Sequence, residues 1–380
     1  MKVSCLQENL QRALSQVSRA VATKTALPVL SNVLLSAEQG RLKIAATDLH
    51  IGTTPWFPAA IEEEGKVTVD ARLLSEFVNT LPAEAVELTA SRDRAVLKVR
   101  CGRTTAEING TDAEDFPVMP TIADDAVMIE VDPGQLREMI AQVELAAAAD
   151  DSRPVLAGVL TRIEGKKITM AAADGFRLAV REGELQSEGP ERLEAIVPAK
   201  ALRELARIVA DQSEPVKIAI TPMQSQLLAE AGQTEFLSSL IEGSFPDFRQ
   251  IVPRDFSMRV EVDRDQLVGA VRRASYFARD NNDVIRLAVK NGEQEFDLGT
   301  LEISANAAER GNNQSVIDAS VTGDSVQVAF NARYLADVLG VLRQQKVLLG
   351  LNGANQAGVV KPVGDDSYSH VIMPMVIGSN

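Results

Sequence analysis

The side chains best suited to acid-base, nucleophilic or soft-metal chemistry in this chain are two histidines, His50 and His370, and two cysteines, Cys5 and Cys101. A structural zinc site gathers its ligands in pairs spaced by roughly two to five residues. These four lie far apart in sequence and form no such pair, so no metal and no cofactor is expected. His50, in Asp48-Leu-His, and His370 read as surface or core histidines. No G-x-x-x-x-G-K-[ST] loop is present to cradle phosphates. The glycines of Gly350-Leu-Asn-Gly do not follow the dinucleotide fingerprint, and Asn352-Gly353 is a hairpin signal. Asp174-Gly175 reads as a turn, and no serine sits in a nucleophile elbow. The expectation is a protein that is not an enzyme. Carboxylates are plentiful, so a hydrolase built on a dispersed acid pair stands as a minor alternative.

What remains is electrostatic chemistry. The chain of 380 residues carries 39 Lys and Arg against 53 Asp and Glu, a net charge of −14. Taken whole, that balance argues against a uniformly basic nucleic-acid coat or an anionic-membrane binder. The distribution reads differently. Six segments with helical periodicity, 5–22, 71–81, 133–144, 199–209, 264–279 and 332–343, hold 13 basic and seven acidic side chains, a net of +6 that leaves −20 for the rest. At about 100° per residue, Leu10, Leu14, Val17 and Val21 point one way while Arg12 and Arg19 point nearly opposite. Lys200, Arg203 and Arg207 likewise oppose Leu202, Leu205 and Val209. Arg72, Arg137, Arg272, Arg273 and Arg333 are the corresponding candidates on the other helices. One basic helix face is ordinarily a solvated face. Several in an acidic chain point to a polyanion held through phosphate contacts and not base readout.

The elements that carry these residues recur. Leu10, Leu136 and Leu267 open similar amphipathic stretches, 126 and 131 residues apart. Ala71-Arg72, Ala199-Lys200 and Ala332-Arg333 follow at steps of 128 and 133. Phe116-Pro117, Phe245-Pro246 and Met373-Pro374 follow at 129 and 128. A period this long makes each copy a whole domain. The spacing predicts three domains, 1–125, 126–253 and 254–380. Each has an amphipathic helix, strand-like runs (29–35, 42–46 and 66–69 in the first copy), a second helix and further strands. Helices and strands do not alternate one for one, so the fold class is α+β with two helices per domain packed on antiparallel sheets.

At 45% apolar residues the chain can bury several cores and is not expected to be disordered. Two cysteines make no disulfide framework, which suggests a reducing compartment. The N-terminus turns polar at once, and no apolar run approaches the roughly 20 residues of a membrane helix. A cytoplasmic protein without membrane contact is expected.

Leu27-Pro-Val-Leu-Ser-Asn-Val-Leu-Leu, Ala46-Thr-Asp-Leu, Ala172-Ala-Asp-Gly-Phe-Arg-Leu-Ala, Phe245-Pro-Asp-Phe-Arg-Gln-Ile-Val-Pro-Arg and His370-Val-Ile-Met-Pro-Met together resemble the β sliding clamps of bacterial DNA polymerase III. The resemblance runs end to end and includes the threefold repeat. It implies a head-to-tail homodimeric ring, with helices lining a hole through which duplex DNA threads without sequence preference. The clamp then confers processivity on DNA polymerase III and other polymerases, and also meets the clamp loader and repair factors. These partners would insert a short, partly hydrophobic peptide motif into a pocket between the second and third domains. By resemblance one part of that pocket falls on Leu156, Ala173, Gly175, Phe176, Arg177, Leu178, Pro246, Gln250, Ile251, Val371 and Met373, and the other on Asn355, Ala357, Ile372, Pro374 and Met375. Without the family, residues 372–375 read equally well as a C-terminal core strand. The implied dimer interface sets Tyr276 and Phe277 against Ala106 and Ile108 of the other chain, beside Arg100 and Arg103. In isolation Tyr276 and Phe277 read as core. Lys24, in the loop after the first helix, and Arg153, at the start of a strand, are added to the DNA-facing bases. Pro154 and Val155 stand where an aromatic pair can occur in the family, so base stacking is not carried over to that point. The tail Val376–Asn380 extends past the family's usual end. A multidomain interaction scaffold that does not encircle DNA is the alternative of a different class.

Overall fold

The structure is a computed structural model. It describes every residue except 92–94, 123–125, 151, 222–224, 254, 292–298, 308, 310 and 376–380. The C-terminal extension therefore lies outside the described residues. Six α-helices occur among them: α1 (Gln7–Val17), α2 (Ala71–Asn79), α3 (Pro133–Glu144), α4 (Ala199–Ile208), α5 (Arg264–Ala278) and α6 (Ala332–Val341). The strands form two large sheets, of thirteen and twelve strands, and every described pairing is antiparallel. This is the expected α+β class.

The chain divides into two compact units, each built on one of these sheets. The first comprises 1–134, 185–189 and 200–240, and the second comprises 135–184, 190–199 and 241–380. The middle repeat supplies strands to both sheets. Thr234–Ser239 joins Ile51–Pro58 in the first, and Arg177–Glu184 joins Tyr368–Ile372 in the second.

In the first unit, α1 buries Leu10, Ala13, Leu14 and Val17 at helical spacing. Its first residue is fixed by Gln7, whose amide donates to the Val78 carbonyl at the end of α2 (2.8 Å). The repeated Ala-base landmark is the start of a helix. In α2 the preceding Asp70 accepts from the Leu73 N–H at 2.7 Å, and in α6 Asn331 accepts from the Arg333 N–H at 2.9 Å. Both satisfy backbone donors that the first helical turn leaves unpaired.

Three local expectations change. Helix α1 spans residues 7–17 and not 5–22. Leu6 belongs to strand Lys2–Leu6 and is exposed, and a turn closed by Ala20 N–H donating to Val17 O ends the helix. The run 29–35 splits into a 3-10 turn, Pro28–Ser31, and a strand from Asn32, since proline has no N–H to give a ladder. Arg153 caps another such turn, Pro154–Ala157, and does not open a strand. With the observed boundaries the six helices hold ten basic and seven acidic side chains, a net of +3 with −17 elsewhere. Arg19, Arg279 and Arg343 lie just beyond helix C-termini, where unpaired carbonyls favour cations.

Candidate functional site

In the second unit a buried apolar cluster lies under an open face. Leu160, Ala171, Leu178, Val180, Ile196, Phe248, Val359 and Val371 form the cluster, and residues including Val155, Ala173, Phe245, Val252 and Ala357 pack against it partly buried. Its centre is the pairing of strands Arg177–Glu184 and Tyr368–Ile372, in which Leu178 faces Val371. The ladder runs one rung further, with Met373 N–H donating to Phe176 O at 2.8 Å.

The turn before Phe176 sets its direction. The Asp174 carboxylate accepts from the N–H groups of Phe176 (2.8 Å) and Arg177 (3.0 Å). Gly175 takes φ +96°, and a Cβ there would meet Arg153 Nη1 at 3.2 Å, so glycine fits both the backbone and the space. Arg153 also donates to the Asp174 carbonyl (3.0 Å). The turn leaves Phe176 61% exposed beside Met373, which is 45% exposed, as is Ile251. Ile251 is tied to the cluster through its N–H, which donates to Phe248 O. Three large apolar side chains thus stand exposed around a buried apolar floor. That arrangement suits a short apolar peptide segment.

Most of the residues expected at the pocket meet here. Leu178 and Val371 form the floor, Ala173 and Ala357 flank it, and Leu156 lies in the 3-10 turn beside Val155. Pro246 and Gln250 are exposed, and Gln250 is held by Asp247 (3.0 Å). Arg177 is nearly buried. Its guanidinium bonds Asp174 (3.1 Å) and Asp337 (2.6 Å) and stacks 4.3 Å from the Tyr334 ring, so it braces the turn against α6. Ile372 differs. Successive strand residues face opposite ways, and Ile372 is buried on the side away from Val371, so its side chain does not join this face. The strand ends at Ile372. Pro374 and Met375 are half-buried beyond it, with Met375 N–H donating to Ala329 O (2.9 Å). Asn355 is exposed in the Gly353–Gln356 turn. The sequence reading missed Phe248, Val155 and Val359. Phe248 stands within the quoted Phe245-Pro-Asp-Phe motif and was the one of these open to discovery.

All twelve bases expected to face DNA are exposed: Arg12, Arg19, Lys24, Arg72, Arg137, Arg153, Lys200, Arg203, Arg207, Arg272, Arg273 and Arg333. Several are already engaged. Arg72 pairs with Glu76 (2.8 Å), Arg333 with Asp283 (2.8 Å), Arg207 with Glu204 (2.5 Å) and Arg19 with Glu204 (3.7 Å). Arg273 donates to Ser315 (3.2 Å). Arg12, Lys24, Lys200 and Arg272 have no ion pair among the described residues.

Each unit also has a strand with an unpaired edge. In the first, Thr104–Thr111 pairs with Val96–Cys101 on one side, while only Gly110 and Thr111 pair on the other. Arg100 on the neighbouring strand is paired with Glu87 (2.6 Å), Arg103 is exposed and Ala106 is half-buried. Ile108 points into that unit's own core. In the second unit, Gly311–Thr322 pairs along 311–319 with Gly299–Ala307, but on its other side only at 320–322. Val316 on that strand is 57% exposed. Tyr276, near the end of α5, is 48% exposed and Phe277 half-buried, so neither is the core residue that its type alone suggests.

His50 is exposed, and His370 is fully buried with its Nδ1 3.3 Å from the Tyr368 hydroxyl. Burial pushes the His370 imidazole down to about 3. Among the described residues no three His, Cys, Asp or Glu side chains are grouped to hold a metal, and no helix is long and apolar enough to cross a membrane.

Comparison with known proteins gives a consistent result. The chain matches, in tandem, the N-terminal domain of the DNA polymerase III beta subunit over residues 1–120, its central domain over 130–247 and its C-terminal domain over 249–376. It is 31% identical to a beta sliding clamp of Synechococcus elongatus, with all of both chains covered. Among solved structures it is similar to a DNA polymerase sliding clamp of Bacillus subtilis, with a TM-score of 0.92, 28% identity and 99% of each chain covered. It is also similar to the DNA polymerase III subunit beta of Pseudomonas aeruginosa, with a TM-score of 0.91, 31% identity, and 99% of this chain and 100% of that one covered.

Proposed function

Because the chain belongs to the DNA polymerase III beta subunit family, the beta sliding clamps, we propose that two copies close head to tail into a ring around duplex DNA and tether the replicative polymerase to its template. The observation that carries this reading is the tandem match of three family domains from residue 1 to 376. It fits the repeat read as domains 1–125, 126–253 and 254–380.

Physical features support each part. Exposed bases on and beside the helices, in a chain of net charge −14, give phosphates a basic surface and leave the acid elsewhere. Two open strand edges, one in each unit, allow a head-to-tail contact that pairs backbone across two chains. Such a heterologous contact gives a ring when its rotation closes. The face around Phe176, Ile251 and Met373 takes a short apolar peptide from polymerases, the clamp loader and repair factors. The protein works in the cytoplasm as a tether and not as a catalyst. Topology holds it on DNA, so single contacts are weak and salt-sensitive.

The test loads the protein on a nicked circle with a clamp loader, washes in high salt and then cuts the circle. Retention on the circle and release from the linear product is the expected outcome. Retention after cutting would refute encirclement. A monomer in sedimentation at micromolar concentration would favour a scaffold instead.

A further inference from the structure

The face of the first unit's sheet turned away from the core that holds Leu35 and Ala37 carries a cleft of about 1010 Å³ lined in part by Ser36. The second unit contains the equivalent place, and the two are filled differently. Turn Pro28–Ser31 and strand Asn32–Glu38 recur 126 residues later as Pro154–Ala157 and Gly158–Glu164, so Ser36 corresponds to Arg162. Their cross-strand partners correspond as well: Ser36 faces Lys66, and Arg162 faces Glu194. In the second unit the Arg162 side chain is 13% exposed, donates to Glu194 at 2.7 Å and lies 5.7 Å from the Phe248 ring. An arginine of the chain itself fills that space. In the first unit the shorter Ser36 leaves it open. Its hydroxyl is buried with no hydrogen-bond partner among the described residues, and a buried polar group left so is costly.

Among the described residues, the charges lining the cleft favour a cation. Glu38, Glu235, Asp112 and Glu114 line it, against Lys43 and Lys66. Lys43 is engaged by Glu38 at 3.1 Å. Burial raises the Glu235 carboxyl; Lys43 opposes this, and Glu230 and Glu38 add to it, so the net direction is upward. Phe116 and Met119 supply apolar surface, and Met119 stands where the Phe-Pro landmark places Phe248 in the next copy.

We propose that this cleft receives an arginine side chain from a partner peptide, with Ser36 Oγ accepting a guanidinium N–H, Glu235 providing the counter-charge and Met119 packing on the planar face. The site is separate from the apolar pocket in the second unit and does not depend on it. A guanidinium suits it better than an ammonium because its flat face packs on apolar atoms while its edge donates in two directions.

The test uses the full chain and the peptides acetyl-Gly-Arg-Gly-amide and acetyl-Gly-Lys-Gly-amide. Trp56 is the one tryptophan in the sequence and faces Lys43 across the strands, so its fluorescence reports on the cleft, with calorimetry as a second readout. The arginine peptide should bind saturably in the millimolar range, and the lysine peptide at least about fivefold more weakly. Glu235→Gln should weaken arginine binding about threefold or more, since a charge-assisted bond becomes a neutral one. Ser36→Arg, which places in the cleft the residue that the second copy carries, should abolish it. Non-saturable response to the arginine peptide, equal binding of the lysine peptide, or unchanged affinity in Glu235→Gln would each overturn the proposal. The Glu235→Gln and peptide comparisons decide it even where Ser36→Arg fails to fold.

Discussion

Phe176 and Met373 owe their exposure to backbone: one is turned outward by the Asp174-Gly175 turn and the other stands just past a strand end. Both stand exposed next to the paired Leu178 and Val371 in sequence and are not members of the buried cluster. Truncation should therefore cost binding and little stability. Met373→Ala and Phe176→Ala are each expected to weaken a partner peptide by on the order of 1–2 kcal/mol. Anisotropy titration checks this, and unchanged affinity in both would move the site elsewhere. His370, two residues before Ile372, works through stability instead. Its folded-state value of about 3 lies below the ordinary 6.5 because burial disfavours the charged ring. The unfolded chain then binds the extra proton, so stability is full above about pH 7 and falls as pH drops from 6.5 toward 3, by up to about 1.4 kcal/mol per pH unit. Denaturant midpoints of His370→Gln should show a shallower loss over that window than those of the parent chain. The family motif singled out Phe176 and Met373, and the structure shows both exposed. The motif could not carry the sidedness of Ile372 or the burial of Ile108, because both depend on where each strand begins in register.

Helix positions were largely legible because the Ala-base landmarks coincide with real caps, Asp70 and Asn331, at α2 and α6. Their ends were less so. Apolar spacing continues to Val21 while the hydrogen-bonded helix stops at Val17, since Val21 packs on the core from a turn. That shift takes Arg19 out of α1, and the same happens to Arg279 and Arg343 at α5 and α6. The helical charge drops to +3, so the basic surface is made by helices together with the residues that follow them. Its members are also unequal. Arg12 and Lys200 have no ion pair among the described residues, whereas Arg72 and Arg333 must release Glu76 and Asp283 before meeting a phosphate. Each phosphate contact contributes about 0.9 to the slope of log K against log salt. Losing both Arg12 and Lys200 to Gln should flatten that slope by nearly two on a linear duplex, and the pair Arg72→Gln and Arg333→Gln by clearly less. Equal effects would mean that the ion pairs do not restrain the arginines.

At the scale of the whole chain, the repeat and the compact unit are different objects. The repeat is written in residue types and was readable at its period of about 128 residues. The units follow strand pairing, which carries the middle copy into both sheets and leaves no mark in composition. Side chains, and not pairing, distinguish the two equivalent junctions. Ser239 N–H donates to His50 O at 2.7 Å just as Met373 N–H donates to Phe176 O at 2.8 Å. The backbones match, but His50, Gly52 and Ser239 stand where Phe176, Leu178 and Met373 make the apolar face. A Cβ on Gly52 would lie 2.2 Å from the methyl of Met119, so the chain's own methionine occupies that room. The proposed ring requires two chains to join. The open edges of Thr104–Thr111 and Gly311–Thr322 would supply backbone pairing that no single side chain can abolish, while the exposed Tyr276 ring adds apolar contact. Tyr276→Ala with Phe277→Ala should thus loosen the dimer without unfolding either unit. Sedimentation should show a shift toward monomer at low micromolar concentration, with Tyr276→Arg giving the same shift and leaving the half-buried Phe277 in place. An intact dimer in both variants would leave the strand edges as the whole of the contact and remove Tyr276 from it.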